Sequence, residues 1–168
     1  MLLLLILASC SKDGKKPEFV LTYSVFYPST HVHSRLAEEW AKEINQRSDG
    51  RIRVDVYPGG VLSSAQENFT SVLNGVSDLG MSCFAYTRGM FPMIEGVDLP
   101  WGYRNGRQAT RVANEFISKF QPQELSEVAF MYAHAHGPGL LASRKEVPGP
   151  ETLKGMTIRG TGLSAQMV

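Results

Sequence analysis

Apolar residues in the first half of the chain alternate between two spacings. The run Phe-Val-Leu-Thr-Tyr-Ser-Val at Phe19–Val25 is rich in β-formers, and Ile52, Val54 and Val56 alternate with Arg51, Arg53 and Asp55 at the period of a strand with one polar face. Between them Leu36, Ala37, Trp40, Ala41 and Ile44 recur at helical spacing, Glu38, Glu39, Lys42 and Glu43 take the opposite face, and Ser48-Asp49-Gly50 closes the element. Pro58-Gly59-Gly60 then breaks the chain. Ser64 with Glu67 reads as a capping box that opens a helix with Phe69, Val72, Leu73 and Val76 inward, and residues 78–83 return as a strand. Further on, Val112, Phe116, Ile117 and Phe120 predict a helix over residues 107–120, residues 128–132 predict a buried strand, and residues 164–168 read as a helix without a stop signal. This β-α-β-α-β order predicts an α/β fold with a mainly parallel sheet. Its binding crevice is expected outside the carboxyl ends of the strands, in the loops after Val25, Val56 and Met81.

The amino terminus adds a compartment. Residues 2–8 are an unbroken apolar run, too short for a membrane-spanning helix and long enough for the core of an export signal. It ends in Leu7-Ala8-Ser9-Cys10, which resembles the bacterial lipobox, in which the cysteine thiol takes diacylglycerol and becomes the new amino terminus. The expected division is a signal over residues 1–9 and a lipid anchor at Cys10, with a polar, lysine-rich tether through residue 17. Export signals carry positive charge ahead of the apolar run, and no Lys or Arg precedes it here, so the expected start lies within a longer gene. If Cys10 is acylated, Cys83 is left without an intramolecular disulfide partner, and packing must hold the fold.

Charge excludes one class of partner. Seventeen basic residues against 16 acidic ones, a net charge of +1, give no electrostatic footprint for nucleic acid. A composition that is 43% hydrophobic, with no second long apolar segment, belongs to a globular chain.

Four segments in register carry a family resemblance: Tyr57-Pro58-Gly59-Gly60-Val61-Leu62; Leu73-Asn74-Gly75-Val76-Ser77-Asp78-Leu79; Phe91-Pro92 leading to Asp98-Leu99-Pro100-Trp101; and Leu153-Lys154-Gly155-Met156-Thr157-Ile158-Arg159. Together they resemble the DctP-like substrate-binding subunits of tripartite ATP-independent periplasmic (TRAP) transporters. The resemblance implies a two-lobed, hinged periplasmic-binding-protein fold of type II-like architecture. The first lobe is expected over residues 18–136 and the incomplete start of a second over residues 137–168, since members of that family continue well beyond Val168. It further implies capture of a small organic acid, delivery to integral membrane subunits, no cofactor and no catalysis.

Arg159 carries the chemistry. Its guanidinium is a planar fork of donors that matches both oxygens of a carboxylate, and at the end of an apolar strand, before Gly160-Thr161-Gly162, a ligand can approach the backbone. A structural salt bridge at a strand end is the alternative. By the same resemblance, the first-lobe wall comes from the loop after the first strand, Phe26, Tyr27, Pro28 and Ser29, and from the end of the third, Ser82, Cys83, Phe84 and Tyr86. This wall is aromatic where many members are polar, which favours a ligand with an apolar or aromatic body. Simple loop packing is the alternative for Phe26 and Tyr27. Some members carry another arginine near His136-Gly137-Pro138-Gly139; here Gly139 takes that neighbourhood, and His134 or His136 is the candidate replacement donor.

The histidines supply a rival reading. His31-Val32-His33 and His134-Ala135-His136 place imidazoles two apart, which in a strand puts both on one face, the arrangement of a metal-dependent periplasmic hydrolase. No carboxylate motif accompanies them, and His31 and His33 fall at a helix start, so no metal is expected. A periplasmic sensory domain on the same fold is the third reading. No G-x-S-x-G, no phosphate-cradling glycine loop and no base assignable to Cys83 accompany these features.

Overall fold

Ser24 and Val25 have no solvent-exposed surface, which places the end of the first strand at the centre of the sheet. The computed structural model describes residues 16–137 and 139–160. Three parallel strands, β1 (Phe19–Val25), β2 (Ile52–Tyr57) and β3 (Leu79–Met81), lie in the order β2-β1-β3, with Leu21 beside Val54 and Val25 beside Met81. The expected β-α-β-α-β order holds. β3 is shorter than residues 78–83, because Asp78 is spent on fastening the strand. Its carboxylate accepts from the Thr22 backbone N–H at 2.7 Å and from the Thr22 hydroxyl at 2.8 Å.

Helix α1 (Val32–Arg47) covers one face of the sheet. Small side chains at Ser34, Ala37 and Ala41 are buried and let it approach closely, and Trp40 meets Tyr23 edge-on at 5.9 Å. Leu36, expected inward, is instead 52% exposed, because Ser34 takes the packed position. The Ser34 hydroxyl donates to the Tyr27 carbonyl at 2.9 Å. At the other end Asn45 donates to the Ile52 carbonyl at 2.9 Å, fixing the turn through Ser48 into β2.

Helix α2 (Asn68–Leu73) starts later and is shorter than the capping box predicts, and Leu73 and Val76 are exposed. Ser64 and Glu67 do pair: the hydroxyl accepts the Glu67 N–H at 3.3 Å and donates to its carboxylate at 2.8 Å. They close a turn, not a helix, because Asn68 is drawn inward. Its amide donates to the hydroxyls of Ser24 and Ser63 at 3.0 and 3.2 Å in a buried polar network. Satisfied networks of this kind tie a loop to a strand end more specifically than apolar contact does.

The core lies beside α2, under α3 (Pro92–Glu95) and α4 (Gly106–Phe120), where Phe91, Ile94, Ile117 and Leu125 are buried together. Phe69 and Phe84 both meet Phe91 edge-to-face, at 4.8 and 4.9 Å. Asn105 caps α4 by accepting the Gln108 N–H at 2.9 Å.

The strand expected at residues 128–132 does not form. Val128 and Phe130 pack partly buried on the core, but among the described residues no strand ladders with this segment. Side chains of α4 take its backbone groups instead. Asn114 donates to the Ala133 carbonyl at 2.7 Å and accepts its N–H at 3.0 Å, and Thr110 accepts the Ala135 N–H at 2.8 Å. Residues 156–160 likewise have no ladder partner among the described residues, so Arg159 follows irregular backbone and not the expected strand. The helix expected at residues 164–168 lies outside the described residues.

Candidate functional site

Three loops leave the carboxyl ends of β1, β2 and β3 on the same side of the sheet, and two of them are held together by backbone. The Gly59 N–H donates to the Tyr27 carbonyl at 2.7 Å and the Gly60 N–H to the Val25 carbonyl at 3.2 Å. Both glycines have φ near +80° and +72°, a conformation that side chains disfavour, so Pro58-Gly59-Gly60 is the sequence that lets β2's loop fold over β1's.

On this scaffold runs a chain of aromatic rings. Tyr86 meets Phe26 edge-on at 5.6 Å, Phe26 meets Tyr27 at 4.1 Å, and Tyr27 stacks on His31 at 4.1 Å with planes 5° apart. The wall then turns polar, with His31 5.2 Å from His33 and His33 4.6 Å from His134. Burial, with Tyr86 and Cys83 alongside, raises the Tyr27 pKa. Burial likewise pushes the Cys83 thiol up, reinforced by Asp98, so both groups stay protonated at neutral pH. A protonated, partly buried thiol is no nucleophile.

The structure therefore brings together Phe26, Tyr27, Cys83 and Tyr86 among the residues singled out in the sequence. Pro28, Ser29 and Ser82 are exposed at the rim, with the Ser82 hydroxyl donating to the Ala65 carbonyl at 2.8 Å. Phe84 belongs elsewhere. The short 3₁₀ turn Phe84–Tyr86 separates its side chains around the axis, so Phe84 joins Phe91 in the core while Tyr86 faces Phe26. Arg159 is exposed and has no hydrogen-bond or ion-pair partner among the described residues. His136 is exposed, with a ring nitrogen close to the Gly137 carbonyl, and does not join the ring cluster. Thr161, Gly162 and Cys10 lie outside the described residues.

His31 and His33 were missed as members of this wall. Taken as a same-face pair within a strand, an H-x-H motif points to metal; here His31 is the N-cap of α1 and accepts the His33 N–H at 3.3 Å. The pairing that forms joins His33 to His134 across a long sequence separation, which no local spacing encodes. Gly106 enables it: a Cβ there would come within 2.9 Å of the Ala135 carbonyl oxygen, so only glycine lets this segment lie against the start of α4. Among the described residues, no group of three or more His, Cys, Asp or Glu side chains is arranged to hold a metal ion.

Comparison with known proteins agrees with this geometry. Residues 23–167 match the DctP model, described as bacterial extracellular solute-binding protein, family 7. A solute-binding protein of Albidiferax ferrireducens is 24% identical over 139 residues, which are 80% of this chain and 40% of that protein. A TRAP periplasmic solute-binding protein from Desulfovibrio salexigens is 29% identical with a TM-score of 0.61, over 65% of this chain and 34% of that one. A TRAP solute-binding protein from Rhodoferax ferrireducens, crystallised with copurified benzoate, is 25% identical with a TM-score of 0.66, over 71% of this chain and 38% of that one. The chain spans about 40% of the length of the curated relatives it matches. With the parallel sheet, the loops at its carboxyl ends and a family match running from within β1 to residue 167, the chain belongs to the bacterial extracellular solute-binding proteins of family 7.

Proposed function

We propose that this protein captures a small aromatic carboxylate outside the cytoplasm and hands it to the membrane subunits of a TRAP-type transporter. The observation that carries the reading is the continuous ring wall Tyr86-Phe26-Tyr27-His31 at the carboxyl ends of β1 and β3. An aromatic wall of this kind suits a flat, apolar ligand body, where a polyhydroxylated acid would leave its hydroxyls unpaired. The benzoate held by the Rhodoferax ferrireducens relative has such a body. Arg159, at the start of a second lobe beginning near residue 137, supplies the bidentate partner for the carboxylate once the lobes close, with Thr161 and Gly162 beside it. Cys10 carries the lipid anchor.

Arg159 is exposed and unpaired among the described residues, the state expected of a clamp that engages only on closure. In a hinged protein, a ligand stabilises the closed form only through contacts it makes differently in the two states. The test uses the protein expressed from its full gene: organic acids are screened by thermal shift, and the best hit is titrated calorimetrically against the parent, Arg159→Ala and Arg159→Lys. Loss of the fork leaves a desolvated carboxylate without a partner and costs about 2–5 kcal/mol, roughly 30-fold to several thousand-fold in affinity. Lysine, a point charge, recovers only part of that. Equal affinity for the alanine variant removes Arg159 from the site, and a screen in which no aromatic carboxylate raises the melting temperature removes the ligand class.

A further inference from the structure

Three imidazoles meet where the ring wall ends, and they come from both H-x-H pairs: His31 and His33 at the start of α1, and His134 from the segment pinned to α4 by Asn114 and Thr110. His31 uses one ring nitrogen to accept the His33 N–H, which leaves its proton on the other, Nε2. The rings of His33 and His134 have no hydrogen-bond partner among the described residues, although His33 is partly buried. Burial first, then His134 and His31, hold the pKa of His33 below the ordinary imidazole value, so it is neutral at neutral pH.

A neutral imidazole offers one donor and one acceptor edge. A ligand hydroxyl, itself both donor and acceptor, matches such an edge, whereas a second carboxylate has only acceptors to offer and calls for a cation. The ring chain from Phe26 through Tyr27 leads directly to these edges, so a ligand ring lying against the apolar part brings its far side to the histidines.

We propose that His33 and His134, steadied by His31 and Tyr27, read a hydroxyl substituent on the ligand ring, which makes the preferred ligand a hydroxylated aromatic carboxylate. This rests on the carboxylate reading above. An unsubstituted ring would cover the edge of the partly buried His33 and leave it unpaired, a penalty that binding sites convert into discrimination.

The test is calorimetric titration of the full-length protein near neutral pH with benzoate and with meta- and para-hydroxybenzoate, repeated on His33→Phe and His134→Phe, which keep a ring in the cluster and remove its polar edge. In the parent, at least one hydroxybenzoate should bind about ten- to a hundred-fold more tightly than benzoate. In both variants that advantage, read as the ratio of hydroxybenzoate to benzoate affinity within the same variant, should collapse to within about threefold. Benzoate bound as tightly as both hydroxybenzoates overturns this proposal and leaves the carboxylate reading standing. So does a hydroxyl advantage that survives both substitutions. A variant that loses benzoate along with the hydroxybenzoates also overturns it, because the histidines would then be holding the loop and not reading the substituent. If none of the three binds the parent, both readings fall.

Discussion

Asp78 fastens β3 to β1 through a single side chain. One carboxylate oxygen accepts both the backbone N–H and the hydroxyl of Thr22, and these bonds, the backbone one first, hold its pKa below the ordinary carboxylate range. Because the folded value is the lower one, the stabilisation is present above the unfolded value near 4 and is lost as pH falls through the folded value. The group is exposed, so screening keeps the effect small. Asp78→Asn should cost about 1 kcal/mol at neutral pH, and the difference from the parent should shrink as pH falls below about 4 towards the lower folded value, where the parent's own carboxyl becomes neutral. Urea midpoints measured at neutral pH and near pH 3 check this, and a gap of constant size at both would show that the charge plays no part. At this scale the sequence is least informative about direction. Phe84 and Tyr86 stood in one candidate wall, and a single 3₁₀ turn sends the first to the core and the second to the site.

Among the elements, those with a strong period were legible and those that need a partner were not. The alternation at residues 51–56 and the helical spacings in α1 and α4 are satisfied within a few residues of chain, and these elements form close to where they were expected. The segment at 128–132 has the composition of a buried strand, but a strand is completed by a ladder, and its backbone groups go instead to α4 side chains. A short polar residue such as Asn114, inside a helix pattern, looks unremarkable in sequence, and its two bonds to Ala133 arise only once both segments are folded. Asn114→Ala should therefore leave a partly buried N–H and C=O unpaired and cost about 1–3 kcal/mol. Asn114→Asp, which sets a carboxylate oxygen against the Ala133 and Thr110 carbonyls that the amide now serves, should cost at least as much at neutral pH. Denaturant unfolding gives the magnitude, and hydrogen exchange gives the place: faster exchange should be confined to the amides of Ala133 and Ala135. Unchanged protection there would mean that the segment is held by its packing against the core and not by α4's side chains.

For the molecule as a whole, the proposed hand-over to a transporter requires a means of staying at the membrane face. Among the described residues, no helix is long and apolar enough to cross a membrane, and the family is extracellular. We propose that attachment falls to Cys10, read in the sequence as the acceptor of diacylglycerol. Each buried methylene adds about 0.8 kcal/mol of membrane affinity, and one acyl chain holds a protein only reversibly, whereas the two chains of a diacylglyceryl group hold it stably. The seven residues from Ser11 to Pro17 can reach at most about 25 Å, enough to hold a domain at the headgroup surface and too short to let it wander far. In cells carrying the full gene with its export signal intact, Cys10→Ser should move the protein from the membrane pellet to the soluble fraction. The ligand affinity of the released protein should stay equal to the parent's, because the ring wall is built by Phe26, Tyr27, His31 and Tyr86, all downstream of the anchor in sequence. Metabolic labelling with a fatty acid should mark the parent and not the variant. A serine variant that still pellets with membranes would place the attachment elsewhere in the chain.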